Sequence, residues 1–372
     1  MSTTVDEDMD IGFSVEALAG RLFESGVAAF ELVTCRLGAA LGLYAALADA
    51  PDRERGLTPG ELAAAAGIAP RYAREWLEQQ AAAGFVTVDD VSLPADERRF
   101  ALPVGSEAVL IDPESPAYLV PIAEFLESVG KIMPALLDAY RTGGGVPYAD
   151  YEVHDAQAAF NRPAFTGSLT QEWLPQIPDV EQRLRNGARV AELGCGEGWA
   201  AIALARAYPG VTVDGFDLDI ASIEAARGHA AAAGVADRAR FVVADVTDPS
   251  FAGDGGYNVV FAFEMLHDLS QPIEALRNAA RLVSGSGDGA VIVMDERAGD
   301  SFSAPADPIE RFLYCASVLH CLPVGMAEQP SAGTGTVMRA GTLRDYAAAA
   351  GLSTVEILPI EHDIFRFYRL GA

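Results

Sequence analysis

Apolar side chains recur every three or four positions along residues 13–48, FSVEALAGRLFESGVAAFELVTCRLGAALGLYAALA. This period predicts one long helix, or the same helix broken twice, from Phe13 to Ala48. Much of the surface of this helix is apolar. We therefore expect it to pack against a second copy of the chain, which predicts a homodimer held by the N-terminal region.

The next segment, residues 57–90, reads LTPGELAAAAGIAPRYAREWLEQQAAAGFVTVDD. Its pattern predicts a helix, a turn around Gly67, a second helix and a strand, which is the order of a winged helix-turn-helix. Residues 99–111, RFALPVGSEAVLI, would complete the wing. The sequence therefore predicts a small helical module of the kind found in many DNA-binding proteins.

Charge decides whether this module is expected to bind DNA. Arg71 and Arg74 lie on its predicted second helix, but Glu75 and Glu78 offset them. The whole chain has 53 acidic and 26 basic residues and a net charge of -27, so its average field repels phosphates. We expect no nucleic acid partner. The module is interpreted as a packing or dimerisation unit, and small molecules are the expected partners.

Further helical patterns follow over residues 115–180. They are interrupted by RTGGGVPYADYEVHD, a stretch rich in glycine and aromatic residues, which we expect to cover a site. The pattern changes near Asp179, so the predicted domains are residues 1–178 and residues 179–372.

Strand-like and helical segments alternate from Arg189 onward. The strand-like segments are ARVAELGC, VTVDGFDLD, ARFVVADV, YNVVFAFEML and GAVIVMDERA. Such alternation predicts a parallel sheet covered by helices. The two runs in LSTVEILPIEHDIFRFYRL are separated by too short a gap for a crossover helix, so they should pair antiparallel. The predicted fold class is α/β, a Rossmann-like domain with a mixed sheet, preceded by a mainly helical domain.

The composition of the chain also predicts where in the cell the protein is found. The first ten residues, MSTTVDEDMD, lack the basic and apolar regions of a signal peptide, and no run of about 18 apolar residues follows. The four cysteines are too scattered for a disulfide framework, so we expect them to be reduced; they are Cys35, Cys195, Cys315 and Cys321. These features predict a cytoplasmic protein that does not enter a membrane.

Three closely spaced glycines follow the first strand of this sheet. Gly194, Gly196 and Gly198 lie in AELGCGEG, where a doubly wound sheet places its ligand. A nicotinamide-binding turn would have another glycine where this chain has Trp199. The bulk of Trp199 and the carboxylate of Glu192 argue against a pyrophosphate. A ligand with a cationic amino group and a sulfonium group fits this turn better.

Two further acids follow the next strands. Asp217 ends the second strand, 23 residues after Gly194, where a carboxylate can accept both hydroxyls of a ribose. Asp245 ends the third strand, where it can accept from an adenine amino group beside Val246. Acids in register with the glycine turn therefore predict a ligand that contains adenosine.

The segments AELGCGEG, GFDLD, VVADV and YNVVFAFEMLHDL resemble the successive motifs of class I S-adenosylmethionine-dependent methyltransferases, over about residues 185–300. The resemblance implies that S-adenosylmethionine is the cofactor. The glycine turn would hold its methionine end, Asp217 its ribose and Asp245 its adenine. The full set of cofactor-binding residues that it implies is Glu192, Gly194, Gly196, Gly198, Asp217, Leu218, Asp245, Val246 and Phe263.

The whole chain also resembles a group of actinobacterial proteins with a winged helix before the methyltransferase domain, some of them labelled as regulators. The stretches AFNRPAFTGSLTQEWLPQIPDV and CASVLHCLPVGMAEQPSAGTGTVMRAGTL support this. The layout is similar to that of small-molecule O-methyltransferases of plant and bacterial secondary metabolism, which dimerise through their N-terminal domains. The resemblance implies a hydroxylated aromatic or polyketide-like acceptor.

His267, in FEMLHDL, is the candidate catalytic residue. Its imidazole has a suitable pKa for deprotonating a hydroxyl, and the resemblance places the general base of the O-methyltransferases here. The motif departs from the family after Asp268, where the chain continues with LSQP instead of a tryptophan and an acidic pair. A capping or packing role for His267 stays open. Asp268 either orients His267 or caps the next helix.

Two other segments supply candidate substrate-binding residues. One lies before the catalytic domain, around Arg162, and the other lies in ERFLYCASVLHCLPVGM. Interdomain or core packing is the alternative role for both segments. No metal site is predicted, although Cys315 and Cys321 leave methylation of a soft metalloid open. The candidate substrate-binding residues are Phe160, Asn161, Tyr314, His320 and Met326.

The predicted reaction is O-methylation of a small molecule in secondary metabolism. Methylation of nitrogen, sulfur or carbon is the alternative within the same enzyme class, since it would use the same cofactor site. A transcriptional regulator that binds an effector without catalysis is the alternative from another class, and it predicts salt-sensitive DNA binding. A dehydrogenase is a third, and Trp199 argues against it.

Overall fold

The computed structural model describes residues 14–251, 255–283 and 289–371. The chain divides into two compact units, of which the first ends at Ile111 and the second begins at Asp112. The predicted domain boundary after residue 178 stays a prediction. The acidic start of the chain, and Phe13 as the first residue of the long helix, lie outside the described residues.

The first unit is mainly helical, with one small hairpin. Its elements are α1 (Val15–Ala40), α2 (Leu43–Ala48), α3 (Pro59–Ala66), α4 (Pro70–Ala82), β1 (Thr87–Val88), β2 (Phe100–Ala101) and α5 (Glu107–Leu110). The long helix predicted at the start is broken at Gly42, whose φ of +67° is a left-handed conformation that favours glycine. The break separates α1 from α2.

The predicted order of helix, turn, helix and strand over residues 57–90 is confirmed. Thr58 and Glu61 form a capping box at the start of α3, and Gly67 ends that helix in the left-handed conformation. The predicted wing is mostly irregular or helical, since its strand is limited to Phe100–Ala101, paired antiparallel with β1. A short helix, α5, occupies the part of this segment that we expected to complete the wing.

The second unit is an α/β structure. Its helices are α6 (Val120–Thr142), α7 (Tyr148–Tyr151), α8 (His154–Pro163), α9 (Pro178–Arg185), α10 (Trp199–Ala207), α11 (Ile220–Ala232), α12 (Pro272–Val283), α13 (Pro308–Ala316), α14 (Leu322–Gly325) and α15 (Ala340–Ala350). Its strands are β3 (Arg189–Leu193), β4 (Thr212–Asp217), β5 (Ala239–Val243), β6 (Val259–Phe263), β7 (Ala290–Glu296), β8 (Thr354–Ile357) and β9 (Phe365–Gly371).

Two segments of this unit have π-helical hydrogen bonding. They are Ala164–Trp173, which continues from α8, and Ser317–Cys321, which lies between α13 and α14. Wide turns of this kind are rare and occur often at functional sites. Ser317–Cys321 contains the substrate-binding candidate His320, and Ala164–Trp173 follows directly after the segment that holds the candidates Phe160 and Asn161.

The sheet of the second unit has seven strands in the order β5-β4-β3-β6-β7-β9-β8. Strands β3 to β7 are parallel, whereas β9 pairs antiparallel with both β7 and β8. The predicted mixed sheet with an antiparallel end is therefore confirmed.

Successive strand residues face opposite sides of the sheet. Val190 packs in one hydrophobic cluster, whereas its neighbour Ala191 packs in the other. The central strands are therefore buried on both faces, which explains why their sequences are continuous apolar runs rather than alternating ones. None of the described helices is long and apolar enough to cross a bilayer.

Candidate functional site

A cavity of about 450 Å³ lies in the second unit at the carboxyl ends of β3, β4, β5 and β6. Because these four strands are parallel, the residues that end or follow them meet at one edge of the sheet. Eight predicted site residues line this cavity: Asn161, Gly194, Gly196, Asp217, Leu218, Asp245, Val246 and Phe263. The fold thus brings together residues that are more than one hundred positions apart in the sequence.

The three glycines of the turn have different surroundings. A Cβ on Gly194 would lie 2.7 Å from the Cβ of Met265, and one on Gly198 would lie 2.5 Å from the ring of Phe241. A Cβ on Gly196 would meet nothing within 4 Å. All three have positive φ, which favours glycine. Gly194 and Gly198 allow close packing of the turn, while Gly196 leaves space open beside the cavity.

Asp217 is held in place by the backbone of the glycine turn. The amide of Gly196 donates to its Oδ2 at 2.8 Å, and the amide of Asp219 donates to its Oδ1 at 2.9 Å. Burial raises the pKa of Asp217, although these two hydrogen bonds act against that shift. The carboxylate is therefore oriented before any ligand arrives, with further lone pairs on both oxygens.

Asp245 is fixed in a similar way. Its Oδ1 accepts from the backbone amide of Thr247 at 2.8 Å and from the hydroxyl of the same residue at 2.7 Å. Val246 beside it is buried and lines the cavity. The cavity therefore has an oriented carboxylate next to an apolar surface at the end of β5, as the sequence predicts.

Glu192 and Gly198 are absent from the described lining of the cavity. The Glu192 side chain is buried within β3, and its Oε2 has no hydrogen-bond partner among the described residues. Burial raises the pKa of this carboxyl to about 8. In this structure Glu192 is therefore a buried acid behind the glycine turn, and direct contact with a ligand stays a prediction.

His267 is buried against carboxylates. Its Nδ1 lies 2.8 Å from Asp295 Oδ1 and 3.1 Å from Glu296 Oε2, and its Nε2 lies 3.3 Å from Asp268 Oδ1. The imidazole is only 2% exposed and is absent from the described lining of the cavity, whereas Asp268 is part of that lining. Asp268 thus contacts His267, and both roles considered for it, orienting His267 and capping the next helix, stay predictions.

These contacts determine the charge of the cluster. Burial disfavours the imidazolium, but Glu296, Asp295 and Asp268 outweigh it and hold the pKa of His267 well above its usual range. Burial alone would raise the pKa of Asp295, but the adjacent imidazolium holds it below its usual value. Burial raises the pKa of Glu296 well above its usual range. We therefore interpret His267 as an imidazolium ion paired with Asp295 at neutral pH.

The same groups could in principle hold a metal ion. Ligand atoms of His267, Asp295 and Glu296 lie within 4.8 Å of one another, as do those of His267, Asp268 and Cys321. The short contact of Nδ1 with Asp295 has the geometry of an ordinary charge-assisted hydrogen bond, which needs no ion. The prediction of no metal site stays a prediction.

The other predicted substrate-binding residues lie away from the described lining of the cavity. His320 is 2% exposed and is enclosed edge-on by the rings of Phe125, Tyr148 and Tyr151. The Tyr314 hydroxyl accepts from Arg339 at 3.1 Å. Tyr148 both contacts His320 and lines the cavity, so His320 lies one side chain behind the wall. The binding roles of Phe160, Tyr314, His320 and Met326 stay predictions.

The sequence analysis missed Glu264, which follows β6 and lines the cavity. Asn161 donates to its Oε2, whereas its buried Oε1 has no partner among the described residues. Its φ of +50° is a left-handed conformation that is strained for a side chain of this kind. Burial raises the pKa of Glu264 to about 8. Its position at the end of a parallel strand was a signal that could have identified it.

Glu197, within the glycine turn, was missed as well. It lines the cavity and is 7% exposed, and its Oε1 has no partner among the residues that the structure describes. Burial raises its pKa to about 7. Tyr148, from the segment that we expected to cover a site, also lines the cavity. The expected covering role of residues 141–155 is consistent with that position.

Comparison with known proteins gives a family for part of this unit. Residues 190–287 match the family described as "Methyltransferase domain". The chain is 36% identical to 27-O-demethylrifamycin SV methyltransferase from Amycolatopsis mediterranei over 122 residues, which cover 33% of this chain and 42% of that protein. It is 34% identical to ubiquinone biosynthesis O-methyltransferase from Vibrio campbellii over 101 residues, 27% of this chain and 41% of that protein. The matched regions thus span about two fifths of the length of these relatives.

A similar fold over almost the whole chain occurs in a solved structure. Human N-acetylserotonin methyltransferase in complex with SAM aligns with a TM-score of 0.66 and 15% identity, covering 98% of this chain and all of that one. At this identity the likeness concerns the fold. The fold and the family match agree that the unit around the cavity is a Rossmann-like domain similar to methyltransferase domains.

Proposed function

We propose that the protein is an S-adenosylmethionine-dependent methyltransferase that methylates a hydroxyl of a small molecule in secondary metabolism. One observation carries the proposal: a single cavity brings together the open glycine turn at Gly196 and the oriented carboxylates of Asp217 and Asp245. The relative from Amycolatopsis mediterranei, named as a methyltransferase of a rifamycin, supports the expectation of a secondary metabolite as acceptor.

The residues present fit the cofactor. Asp217 would accept from both ribose hydroxyls, because its two oxygens are already aligned by backbone amides. Asp245 would accept from the adenine amino group through Oδ2, beside the apolar surface of Val246. Leu218 and Phe263 would cover the adenosine, and the glycine turn would hold the methionine end. Glu192 would support that turn from behind.

The cofactor would supply an electrophilic methyl group, and the task of the chain is to hold a desolvated hydroxyl in line with it. Phe165 and Phe263, stacked at 5.6 Å between ring centroids, form an apolar part of the cavity wall that would exclude water. Asn161 comes from the segment predicted to close over the site and reaches Glu264 in that wall. Phe160 belongs to the same segment, while Tyr314, His320 and Met326 would form a layer behind the acceptor.

His267 remains the proposed general base. Its contacts with carboxylates limit when it can accept a proton. Asp295 fixes the ring through Nδ1, which leaves Nε2 as the basic atom. Nε2 now faces Asp268, so the acceptor hydroxyl would have to replace that contact. The imidazolium would also have to lose its proton before it could act. This condition predicts an alkaline pH optimum.

Turnover on hydroxylated aromatic acceptors tests the function. We expect purified protein with S-adenosylmethionine to form S-adenosylhomocysteine and an O-methylated product. Mass spectrometry detects both products. Isosteric anilines and thiols serve as matched acceptors for the alternative of nitrogen or sulfur methylation. Binding of promoter DNA at low salt without any methyl transfer would contradict the proposal and favour a regulator.

We propose that the first unit is a winged helix used for packing and dimerisation. Cations on and near α4 are paired with acids: Arg71 with Glu75, Arg74 with Asp96 at 3.4 Å and Arg98 with Glu78 at 2.8 Å. Paired cations attract phosphates less strongly, so these contacts support the expectation of no nucleic acid partner.

The homodimer should depend on α1. Eight of its large apolar side chains are each more than a third exposed: Val15, Leu18, Leu22, Phe23, Val27, Phe30, Val33 and Leu37. A monomer rarely leaves such a stripe in water. The double variant Leu22→Glu, Phe30→Glu should convert a dimer to a monomer in light scattering, because it would bury two charges in the interface. Val104→Glu, at another exposed apolar position, is the control and should leave the dimer intact. A wild-type protein that is monomeric at micromolar concentration would contradict this proposal.

A further inference from the structure

The described part of the cavity wall is strongly acidic. Among the described residues that line it there is no lysine or arginine and one histidine, His154, which is partly exposed. The acids in the wall are Glu197, Asp217, Asp219, Asp245, Glu264, Asp268 and Glu328. A molecule that brings a further negative charge would be repelled by this wall, while a cation would be attracted.

The acids fall into two sets according to their partners. Backbone amides already donate to Asp217, Asp219 and Asp245 at 2.7 to 2.9 Å. In contrast, Glu264 and Glu197 each retain a buried oxygen without a partner among the described residues, Oε1 in both cases. A buried acceptor without a donor is costly, and in a native site it points to a missing partner. Asp268 Oδ1 also has no hydrogen-bond partner among the described residues, but it lies 3.3 Å from His267 Nε2. Glu197 and Glu264 are therefore the two positions for a donor that a ligand must supply.

The cofactor can satisfy only one of these positions with a charged donor. Its single ammonium group belongs to the methionine end, and Glu197 lies within the turn proposed to hold that end. The sulfonium carries a charge but has no N–H to donate. Glu264 follows β6, the strand that pairs with β3 beside the turn. We assign the ammonium of the cofactor to Glu197, which belongs to the turn itself, and Glu264 to a donor on the other substrate.

We propose that the methyl acceptor carries a protonated amine that binds Glu264, while a hydroxyl elsewhere on the same molecule receives the methyl group. The proposal rests on the proposed function and narrows its substrate class to amino-bearing hydroxyl compounds. Asn161 holds the Glu264 carboxyl in place through Oε2, and Asp268 and Glu328 add acidic groups to the same cavity wall. An ammonium group would supply both the missing hydrogen bond and the missing charge.

The burial of Glu264 makes the pairing selective. Burial raises its pKa to about 8, which favours the neutral carboxyl when no cation lies beside it. An arriving ammonium would favour the carboxylate, whereas a neutral group would not. The pair forms where salt screens charges weakly, and its charge-assisted hydrogen bond offsets part of the cost of removing both groups from water.

Three phenols of similar size test the proposal. Tyramine is the cationic probe, 4-ethylphenol is the neutral probe and 3-(4-hydroxyphenyl)propanoate is the anionic probe. Binding of each is measured by calorimetry at pH 7 to the full-length protein saturated with S-adenosylhomocysteine. We expect tyramine to bind roughly tenfold or more tightly than 4-ethylphenol, and the propanoate to bind more weakly than either.

The Glu264→Gln variant makes the test specific. Its amide oxygen can still accept from Asn161, so the side chain keeps its position but loses its charge. We expect about a tenfold loss of tyramine affinity and less than about a twofold change for 4-ethylphenol. Glu356→Gln, on the exposed edge strand β8, removes the same charge away from the cavity and should change neither affinity. Thermal unfolding of all variants confirms that they are folded.

The outcomes separate this proposal from the function on which it rests. Failure of the wild type to bind S-adenosylhomocysteine would overturn both. Normal binding of this cofactor product, combined with equal affinities for the three phenols, a preference for the propanoate or no binding of tyramine, would overturn only the amine proposal. Loss of affinity for all probes in Glu264→Gln with an intact fold would also overturn it, because the role of Glu264 would then be independent of the amine.

Discussion

Replacement of Asp217 by alanine should weaken S-adenosylmethionine binding by about a hundredfold or more. Two hydrogen bonds from ribose hydroxyls to a carboxylate contribute roughly 1.5 to 3 kcal/mol each, and 1.4 kcal/mol corresponds to a factor of ten in the dissociation constant. The variant also removes the acceptor for the amides of Gly196 and Asp219, so the glycine turn loses its fixed position. Calorimetry with S-adenosylmethionine measures the effect, and NADH serves as the ligand that neither protein should bind.

Asp248→Ala is the matched control for Asp217→Ala. Asp248 accepts locally from Ser250 on an exposed loop, so its loss should leave the affinity for S-adenosylmethionine unchanged. Unaltered binding by a folded Asp217→Ala protein would show that the cofactor is held elsewhere. Binding of NADH instead would favour a dehydrogenase, despite Trp199.

Replacement of His267 by alanine should destabilise the protein by roughly 3 to 5 kcal/mol near neutral pH, because it leaves Asp295 buried without its counter-charge. The raised pKa of His267 gives stability that is present below its unfolded value of about 6.5 and is lost as the pH rises through the folded value. The lowered pKa of Asp295 gives stability that is present above its unfolded value and is lost as the pH falls through the folded value. Denaturant unfolding at several pH values measures the loss of stability at high pH and the loss at low pH.

A second variant separates this structural effect from catalysis. His267→Gln keeps a neutral donor for Asp295 but cannot accept a proton, so its rate of O-methylation should fall by roughly a hundredfold or more if His267 is the base. The wild-type rate should rise with pH as the imidazolium is deprotonated. His154→Ala is the control for stability, since that side chain is partly exposed and lies 3.7 Å from Asp155; we expect a change below about 1 kcal/mol. A folded His267→Gln protein with the wild-type rate would exclude the base role.

Most residues on the cofactor side of the site were predictable, because each one lies at or just after the end of a strand that the sequence itself indicates. Asp217 and Asp245 each end or follow one strand, and parallel strands gather their carboxyl ends at one edge whatever the lengths of the connections. The antiparallel pairing of β8 with β9 was also predictable, because the short gap between them left no room for a crossover.

The surroundings of His267 could not be derived in this way. Asp295 and Glu296 end β7, and their contact with His267 depends on β7 lying beside β6, a neighbour relation that periodicity does not reveal. The position of Glu264 after a parallel strand could have marked it as a candidate, but its backbone conformation could not be derived. A left-handed φ runs against the local preference of glutamate, so the adjacent residues do not indicate it. The extent of the wing over residues 99–111 was overestimated, because the apolar run in this segment is shared between β2 and α5.

The acidic wall of the cavity also has a consequence for the end of the catalytic cycle. Methyl transfer turns a sulfonium into a neutral sulfide, so the cofactor leaves the reaction with one positive charge fewer than it brought. The attraction that draws S-adenosylmethionine toward the carboxylates is thus weaker for the spent cofactor. In this protein, the chemistry itself would promote product release.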